Sequence, residues 1–560
     1  MYDDNEIEEL APWFLIIVTL IGGALRIFLL SNKGLELEET FSMWLANHSI
    51  GEMLQWIARI DHHPPLYYVL LHFWIKFNGV KPNDLRMLSA LFGAGTIPII
   101  YLIGKRMSGV MMGLAASVIL ALSPFNIRLA QVARMYTLLM FNVAVAIYAL
   151  VRLLTDARST LPIGSQFRDY IRAWGNGGPI DADAEKSFSY EDLTSNQVGW
   201  RGWIARHRWL PIESIETDLA WVAFIVFSAA TLLSHNSGIL FFLAINIFVL
   251  GLMFFQRVRK SQIPPTFQAP SLSNWLKAQI GILLLYSPWI FSFIKQTSGV
   301  FQDFLITKLS WVSVIQTIES FLNEYTLPPS SQMVMMSLYA LMLGVGLVHF
   351  RKKFSQLSFL AILFVVPFLS ELLIRIRLPI DFKRTLIWTT IPLFLILAAG
   401  IVQLRFRFLM VVVLAVLGMN NLFSASDYFR FYQKENWNYP AGFVAKWIKN
   451  DDLMLFNAPW AEIPFNYYFK PYEDKYLIQV EKRGVPSDLF DSGELEPKVT
   501  ESDIPWLTSL LNGHKRVWVI YSQNSNTDPM GIITQTLESE MKLIVKRDFN
   551  GVQVQWFETP

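Results

Sequence analysis

The chain has 560 residues, 53% of them hydrophobic and only 16% charged, with 42 Phe and 19 Trp. That composition excludes an ordinary soluble enzyme and points to a polytopic membrane protein. A formal net charge of +2 gives no basis for a nucleic-acid partner, and the lack of cysteine excludes disulfides, thiolate metal sites and cysteine nucleophiles.

The chain opens on an acidic head (Asp3, Asp4, Glu6, Glu8, Glu9) where a cleaved signal would carry basic residues, so the apolar run from Pro12 to Leu30 reads as a retained anchor. With about 20 residues needed to cross a bilayer, roughly eleven spans follow. They lie near 11–30, 86–104, 109–126, 135–154, 218–233, 237–256, 274–292, 333–350, 355–374, 385–402 and 407–424. The expected fold is a mostly α, polytopic helical bundle over residues 1–424, followed by a small extramembrane α/β domain over 425–560.

The loop 31–85 after the first span carries Glu36, Glu38 and Glu39, then Asp61, His62, His63, Pro64 and Pro65. Ser49 and Glu52 form a capping-box pattern ahead of Met53, Leu54, Trp56 and Ile57, predicting a short amphipathic helix in the membrane interface. Pro64-Pro65 blocks helix continuation from the histidines. The apolar stretch Leu66 to Phe77 reaches only ~18 Å as a helix and reads as interfacial.

Further polar groups follow: Arg128, Gln131, Arg134 and Tyr136, then His235 and Asn236, then Arg375, Arg377, Asp381, Lys383 and Arg384. Basic residues mark the alternate connections, at Lys105-Arg106, the 155–217 loop, Arg257 to Lys260, Arg351 to Lys353 and Arg405 to Arg407, which makes that face cytoplasmic. The first span is the exception, since its head has no Lys or Arg and Lys33 follows it. Charge alone therefore leaves open an orientation in which 66–77 spans and 31–65 is cytoplasmic.

From Ser424 the long apolar runs stop. Helical stretches at 440–449, 503–511 and 530–539 alternate with strand-like runs at 453–456, 517–520 and 552–556, the pattern of an α/β domain. The 155–217 loop, rich in Gly, Asp and Arg, reads as a partly ordered cytoplasmic insertion.

The strings Leu37-Glu38-Glu39-Thr40-Phe41-Ser42, His63-Pro64-Pro65-Leu66-Tyr67-Tyr68 and Gln131-Val132-Ala133-Arg134-Met135-Tyr136, in this order, resemble those of the bacterial glycosyltransferase family 39 proteins. These are relatives of protein O-mannosyltransferases and the lipid A aminoarabinose transferase, within the GT-C membrane glycosyltransferases. The resemblance is clear over 10–155 and fainter around His235, Arg384 and Lys434-Glu435-Asn436-Trp437. It implies a sugar donor on polyprenyl phosphate, an external first loop, transfer on the extracytoplasmic face of the plasma membrane, and an acidic residue of the first loop as catalytic base. The chain departs from that pattern with Glu38 in place of Asp, Val132 in place of Glu, and Thr385 in place of Tyr; the second change removes a carboxylate and with it support for a bridging metal.

The chemistry fits these residues. Glycosyl transfer to an alcohol needs a carboxylate to take the acceptor proton through an oxocarbenium-like state, and cations to hold the departing phosphate. Glu38 and Glu39 are the candidate bases, and Arg134, Arg384 and Lys383 the candidate phosphate ligands. His62, His63, Tyr67, Tyr136 and His235 are candidate substrate contacts. A single displacement with inversion, without a metal or other cofactor, is the expected course, with a protein, lipid or glycan acceptor.

Each residue also has a plainer explanation. The glutamates suit any helix N-terminus, adjacent histidines without a third ligand are poor evidence of metal, and Arg375 and Arg377 can snorkel at the end of a span. A lipid-linked-sugar transporter or flippase, or a non-catalytic lipid-sugar-binding relative, would share the composition. A transporter, however, would place polar groups near the midplane, whereas here they gather in loops.

Overall fold

The computed structural model describes residues 4–61, 63–169, 212–258, 266–299, 311–324, 329–375, 382–489, 491, 497–522 and 527–560. Its first helix, α1 (Asp4–Ile27), leads into three short helices, α2 (Leu37–Asn47), α3 (Ile50–Ile60) and α4 (Leu66–Asn78). The bundle continues through α5 (Pro82–Ser108), α6 (Val110–Leu122), α7 (Pro124–Ala130), α8 (Tyr136–Thr155), α9 (Ile212–Ser234), α10 (Gly238–Val258) and α11 (Leu272–Gly299). Next come α12 (Trp311–Leu322), α13 (Pro329–Phe350), α14 (Phe354–Arg375), α15 (Phe382–Thr385), α16 (Thr390–Val402) and α17 (Arg407–Phe431).

Among the described residues, 9 helices are long and apolar enough to cross a membrane, and 10 if the bent pair α6–α7 counts as one span. The difference from eleven has two physical causes. The run at 109–126 is not straight: Pro124 cannot continue the ladder of α6, Ser123 accepts a hydrogen bond from the Asn126 amide, and the axis turns by 59°. The run at 385–402 is a shorter apolar helix, Ile387–Val402. It is buried along nearly its whole length, and at Gly346 and Gly400 α13 and α16 come so close that a Cβ would strike the carbonyls of Ile396 and Met342.

Arg26 stabilises the bend. Its guanidinium is fully buried and donates to the carbonyls of Leu120 (3.0 Å) and Ala121 (3.1 Å) in the last turn of α6, where the Ser123 amide reaches Leu120 only at 3.4 Å.

The described connections gather at two ends of the bundle. At one end Arg106 donates to Thr155 (2.7 Å), Lys353 to Ser108 (3.1 Å) and Gln356 to the Met107 carbonyl (3.1 Å). At the other lie the 28–81 loop, the turn at 131–135, residues 235–237 and α15. The helix α4 does not cross: residues before and after it meet one surface, where the Leu35 amide donates to the Tyr468 hydroxyl (2.6 Å) and Tyr467 donates to the Val80 carbonyl (3.1 Å).

Those tyrosines belong to the C-terminal unit, which comprises α18 (Asn438–Trp447), β1 (Leu453–Asn457), α19 (Glu462–Tyr476), β2 (Glu481–Gly484), α20 (Ile504–Leu511), β3 (Arg516–Tyr521), α21 (Ile532–Glu540), β4 (Lys542–Phe549) and β5 (Val552–Glu558). The sheet order is β2-β1-β3-β5-β4, parallel across β2, β1 and β3 and antiparallel from β3 through β5 to β4. Both faces of β1 and β3 are buried, so they read as unbroken apolar runs. Leu453, Leu455, Val517 and Val519 pack beneath α20 and α21, while Met454, Phe456, Trp518 and Ile520 join the core that continues into the bundle. The sheet is thereby fastened to the end of the bundle that carries the acidic pair.

Candidate active site

The acidic pair lies in the first turn of α2, where negative charge suits the helix N-terminus. Successive residues of a helix point about 100° apart, and that rotation sends the two carboxylates into different surroundings. Glu39 turns inward and is fully buried. Arg86 grips it through two bonds, Nε to Oε1 (2.7 Å) and Nη2 to Oε2 (2.6 Å). The Ala133 amide donates to Oε1 (3.0 Å), and the Glu36 amide and Lys434 ammonium donate to Oε2 (each 3.1 Å). Burial alone would raise this carboxyl, but the Arg86 and Lys434 charges and the hydrogen bonds outweigh it and hold it far below the ordinary range.

Glu38 turns the other way, and 41% of its side chain is open to solvent. Arg384 Nη1 donates to Oε2 at 3.1 Å, and Arg134 Nε stands 3.8 Å from the same oxygen. Although its surroundings push the carboxyl up, Arg134, Arg384 and His63 win and hold it below the usual range. It is therefore ionised at neutral pH.

The two arginines are set by their own neighbours. Arg134 is buried; its Nη1 donates to Tyr68 (3.1 Å) and Ser42 (3.4 Å), and its carbonyl accepts from Ser89 (3.1 Å). Gln131 fixes the same turn by donating to the carbonyls of Arg26 (3.2 Å) and Phe28 (2.7 Å) at the end of α1. For Arg384 the anchor is the next residue, whose carbonyl accepts from Ser237 (3.0 Å) and whose hydroxyl donates to Glu371 (2.8 Å). Lys383 is half-buried beside Arg384 on α15.

A histidine cluster flanks the arginines. His63 Nδ1 and Asp61 Oδ1 are 2.8 Å apart, and the His63 ring centroid lies 5.3 Å from that of His235. Burial raises the Asp61 carboxyl, but His63 and Arg134 lower it further, to about 2. Burial, together with His63 and Arg134, keeps His235 neutral, well below the ordinary histidine value. Its Nδ1 accepts from the Ser237 amide (3.0 Å), so the proton of the neutral ring is on Nε2. The Tyr136 ring lies 6.2 Å from His235.

The structure thus brings Glu38, Arg134, Arg384, His63, His235 and Tyr136 together. Tyr67 is completely buried behind them with its hydroxyl 3.0 Å from Ser89, and His62, Arg377 and Asp381 lie outside the described residues. Val132 is buried. Arg128, part of the polar set in the sequence, pairs with Glu324 at 2.5 Å.

Sequence reasoning missed Arg86 and gave Lys434 no role, although together they neutralise Glu39. A signal for Arg86 exists: it is a lone arginine at the mouth of a long apolar run, an expensive position that calls for a partner. For Lys434 nothing local marks a residue 395 positions from its carboxylate.

Residues 62–164 match the family described as dolichyl-phosphate-mannose-protein mannosyltransferase. In three dimensions the chain superposes on ArnT from Cupriavidus metallidurans in the apo state with a TM-score of 0.58, at 10% identity, over 98% of each chain. The fold is that of the GT-C membrane glycosyltransferases. A second GT-C protein, the apo oligosaccharyltransferase of Archaeoglobus fulgidus, matches with a TM-score of 0.50 at 10% identity, covering 93% of this chain and 71% of that one. A comparison with curated protein sequences returns no significant match. The family match begins at the His-Pro-Pro string and ends past α8, so it contains Arg86 and Arg134 and stops short of the C-terminal unit.

Proposed function

We propose that the protein is an integral-membrane glycosyltransferase that moves a sugar from a polyprenyl-phosphate donor to an acceptor hydroxyl on the extracytoplasmic face. The observation that carries this reading is the ionised, solvent-facing Glu38 carboxylate set against two guanidinium groups. A carboxylate held low in pKa stays ready to take a proton, and guanidinium groups suit the oxygens of a phosphate. Each guanidinium has five N–H donors, so Arg384 and Arg134 can bind phosphate while still contacting Glu38.

In this reading the acceptor oxygen attacks the anomeric carbon as the bond to the phosphate oxygen breaks. Glu38 takes the acceptor proton, the electron pair leaves with the polyprenyl phosphate, and Arg134 and Arg384 balance the growing charge. Attack opposite the leaving group inverts the anomeric centre. Glu39, surrounded by five donors, holds the structure instead of the proton. His63, Tyr136 and His235 offer polar contacts for the sugar, with Lys383 a further cation beside the phosphate. No step passes through a metal or other cofactor.

The family described by its dolichyl-phosphate-mannose donor supports this donor class, and the alternation of basic connections supports the external placement. The test is incubation of the purified protein with a panel of polyprenyl-phosphate sugars and hydroxyl acceptors, followed by determination of the product's anomeric configuration. Transfer with inversion that disappears in Glu38→Gln is the expected result. Retention of configuration, or undiminished transfer by Glu38→Gln, rejects the mechanism.

A further inference from the structure

Among its described residues the C-terminal unit carries no cluster resembling the Glu38 site, yet it touches the segment that reaches Glu39. After α17 residues 432–437 form neither helix nor strand, and this segment contacts the start of α2. Lys434, buried, reaches Glu39 Oε2 (3.1 Å), Glu36 Oε2 (3.4 Å) and the Gln131 carbonyl (3.4 Å). One ammonium thus joins the acidic helix to the turn that bears Arg134. The neighbouring Glu435 accepts from the Leu37 amide and from Trp437 Nε1, the latter at 3.3 Å.

The other side of this segment is held by the tight turn between β4 and β5. Asn550 Nδ2 donates to the Lys434 carbonyl at 2.8 Å, and the Asn436 amide donates to the Asn550 carbonyl at 3.3 Å. The following residue, Gly551, has φ +81°, and a Cβ there would stand 2.8 Å from the Cγ of Glu435. A glycine is required both by the backbone and by the closeness of the approach. The contact ties residues 116 positions apart in the chain.

We propose that Asn550 and Gly551 form a positioning element of the active site, fixing the 434–436 segment so that Lys434 holds Glu39 and, through Glu39 and Gln131, sets Arg134 against Glu38. Asn550 is a positioning residue: it touches neither Glu38 nor the arginines and acts through the backbone of Lys434. The C-terminal unit is then part of the catalytic geometry, whatever else it binds. The kinetic part of this inference rests on the proposed transferase activity, whereas the geometric part does not.

The test compares the full-length wild type with Asn550→Ala, Lys434→Met and the double variant, in transfer assays and in amine labelling with an N-hydroxysuccinimide ester read by mass spectrometry. Lys434 is protected from labelling in the wild type and is labelled several-fold faster in Asn550→Ala. The turnover number of Asn550→Ala falls about tenfold at unchanged melting temperature, and the double variant is no worse than Lys434→Met, the non-additivity expected of groups acting in series. Gly551→Val, which pushes on Glu435 directly, shows the same exposure of Lys434. Unchanged protection of Lys434 in both turn variants overturns the proposal, as does a double variant whose loss is the product of the two single losses. If the wild type transfers no sugar, the labelling arm still decides the geometric claim, so failure of the assigned activity is distinguishable from failure of the clamp.

Discussion

Glu38 and Glu39 share a helical turn and a charge, yet their surroundings have little in common. Around Glu39 every oxygen faces a donor, two cations lie within hydrogen-bonding distance, and solvent is absent. Around Glu38 the two arginines meet one oxygen from the protein side and the rest of the group faces outward. The difference teaches that an acidic pair need not be a catalytic pair. One carboxylate organises the charges, and its neighbour can then remain ionised and open at small structural cost.

The sharpest way to break this comparison is to exchange the losses. Glu39→Gln leaves Arg86 buried without its ion-pair partner and Lys434 with Glu36 alone, and loss of one partner in a buried pair costs about 3–5 kcal/mol. We expect a large drop in thermal stability and in the yield of folded protein, measured by melting in detergent. Glu38→Gln should do the opposite: an unchanged melting temperature with turnover reduced by about 10²- to 10⁴-fold, the usual contribution of a positioned base. A destabilised Glu38→Gln beside a stable Glu39→Gln would reverse the two assignments.

A smaller effect separates the cations. Arg384→Ala removes one charge-assisted contact, and a loss of about 1.5–3 kcal/mol weakens donor binding by roughly tenfold or more, read as KM for the donor. Because that arginine lowers the Glu38 carboxyl, its removal also moves the acid limb of kcat/KM to higher pH. A limb that stays in place would exclude Glu38 as the titrating base.

The smallest effect concerns Asp61. Its folded-state value of about 2 lies below an unfolded value near 3.9, so it contributes stability above about pH 4 that is lost as pH falls toward 2. Melting temperatures of Asp61→Asn should therefore lie below the wild type at pH 6 and converge with it in acid. A gap that persists at pH 2 would show that packing, not charge, carries the effect.

Much of this is legible in the sequence. Apolar length marked the helical bundle, and the changes of composition and pattern after Ser424 marked the C-terminal sheet. The strings around Glu38, His63 and Arg134 marked residues that the fold brings together in the candidate site, because all three lie within the first 134 residues and their spacing is carried by short local elements. What stayed hidden was pairing at a distance. No local pattern says that Arg86 faces Glu39, that Lys434 returns to it from beyond the last span, or that Thr385 anchors Arg384 through Glu371. Nor did hydropathy distinguish a straight span from the bend at Pro124, since Phe125 keeps the apolar run going just past the bend.

That bend also bears on how the protein is assembled. Arg26 lies on α1, where the Gly22 carbonyl accepts from it, whereas the carbonyls of Leu120 and Ala121 that take its other bonds emerge almost a hundred residues later. Before α6 is in place the guanidinium lacks two of its acceptors, and the cost of a charged side chain within the bilayer, about 2.5–3.5 kcal/mol even on insertion scales, favours snorkelling toward the lipid headgroups. The first helix therefore enters the membrane in one setting and settles into another once α6 has arrived and broken. Maturation of the N-terminal half is in this sense a docking event between early and late helices, with a buried arginine recording that it has taken place.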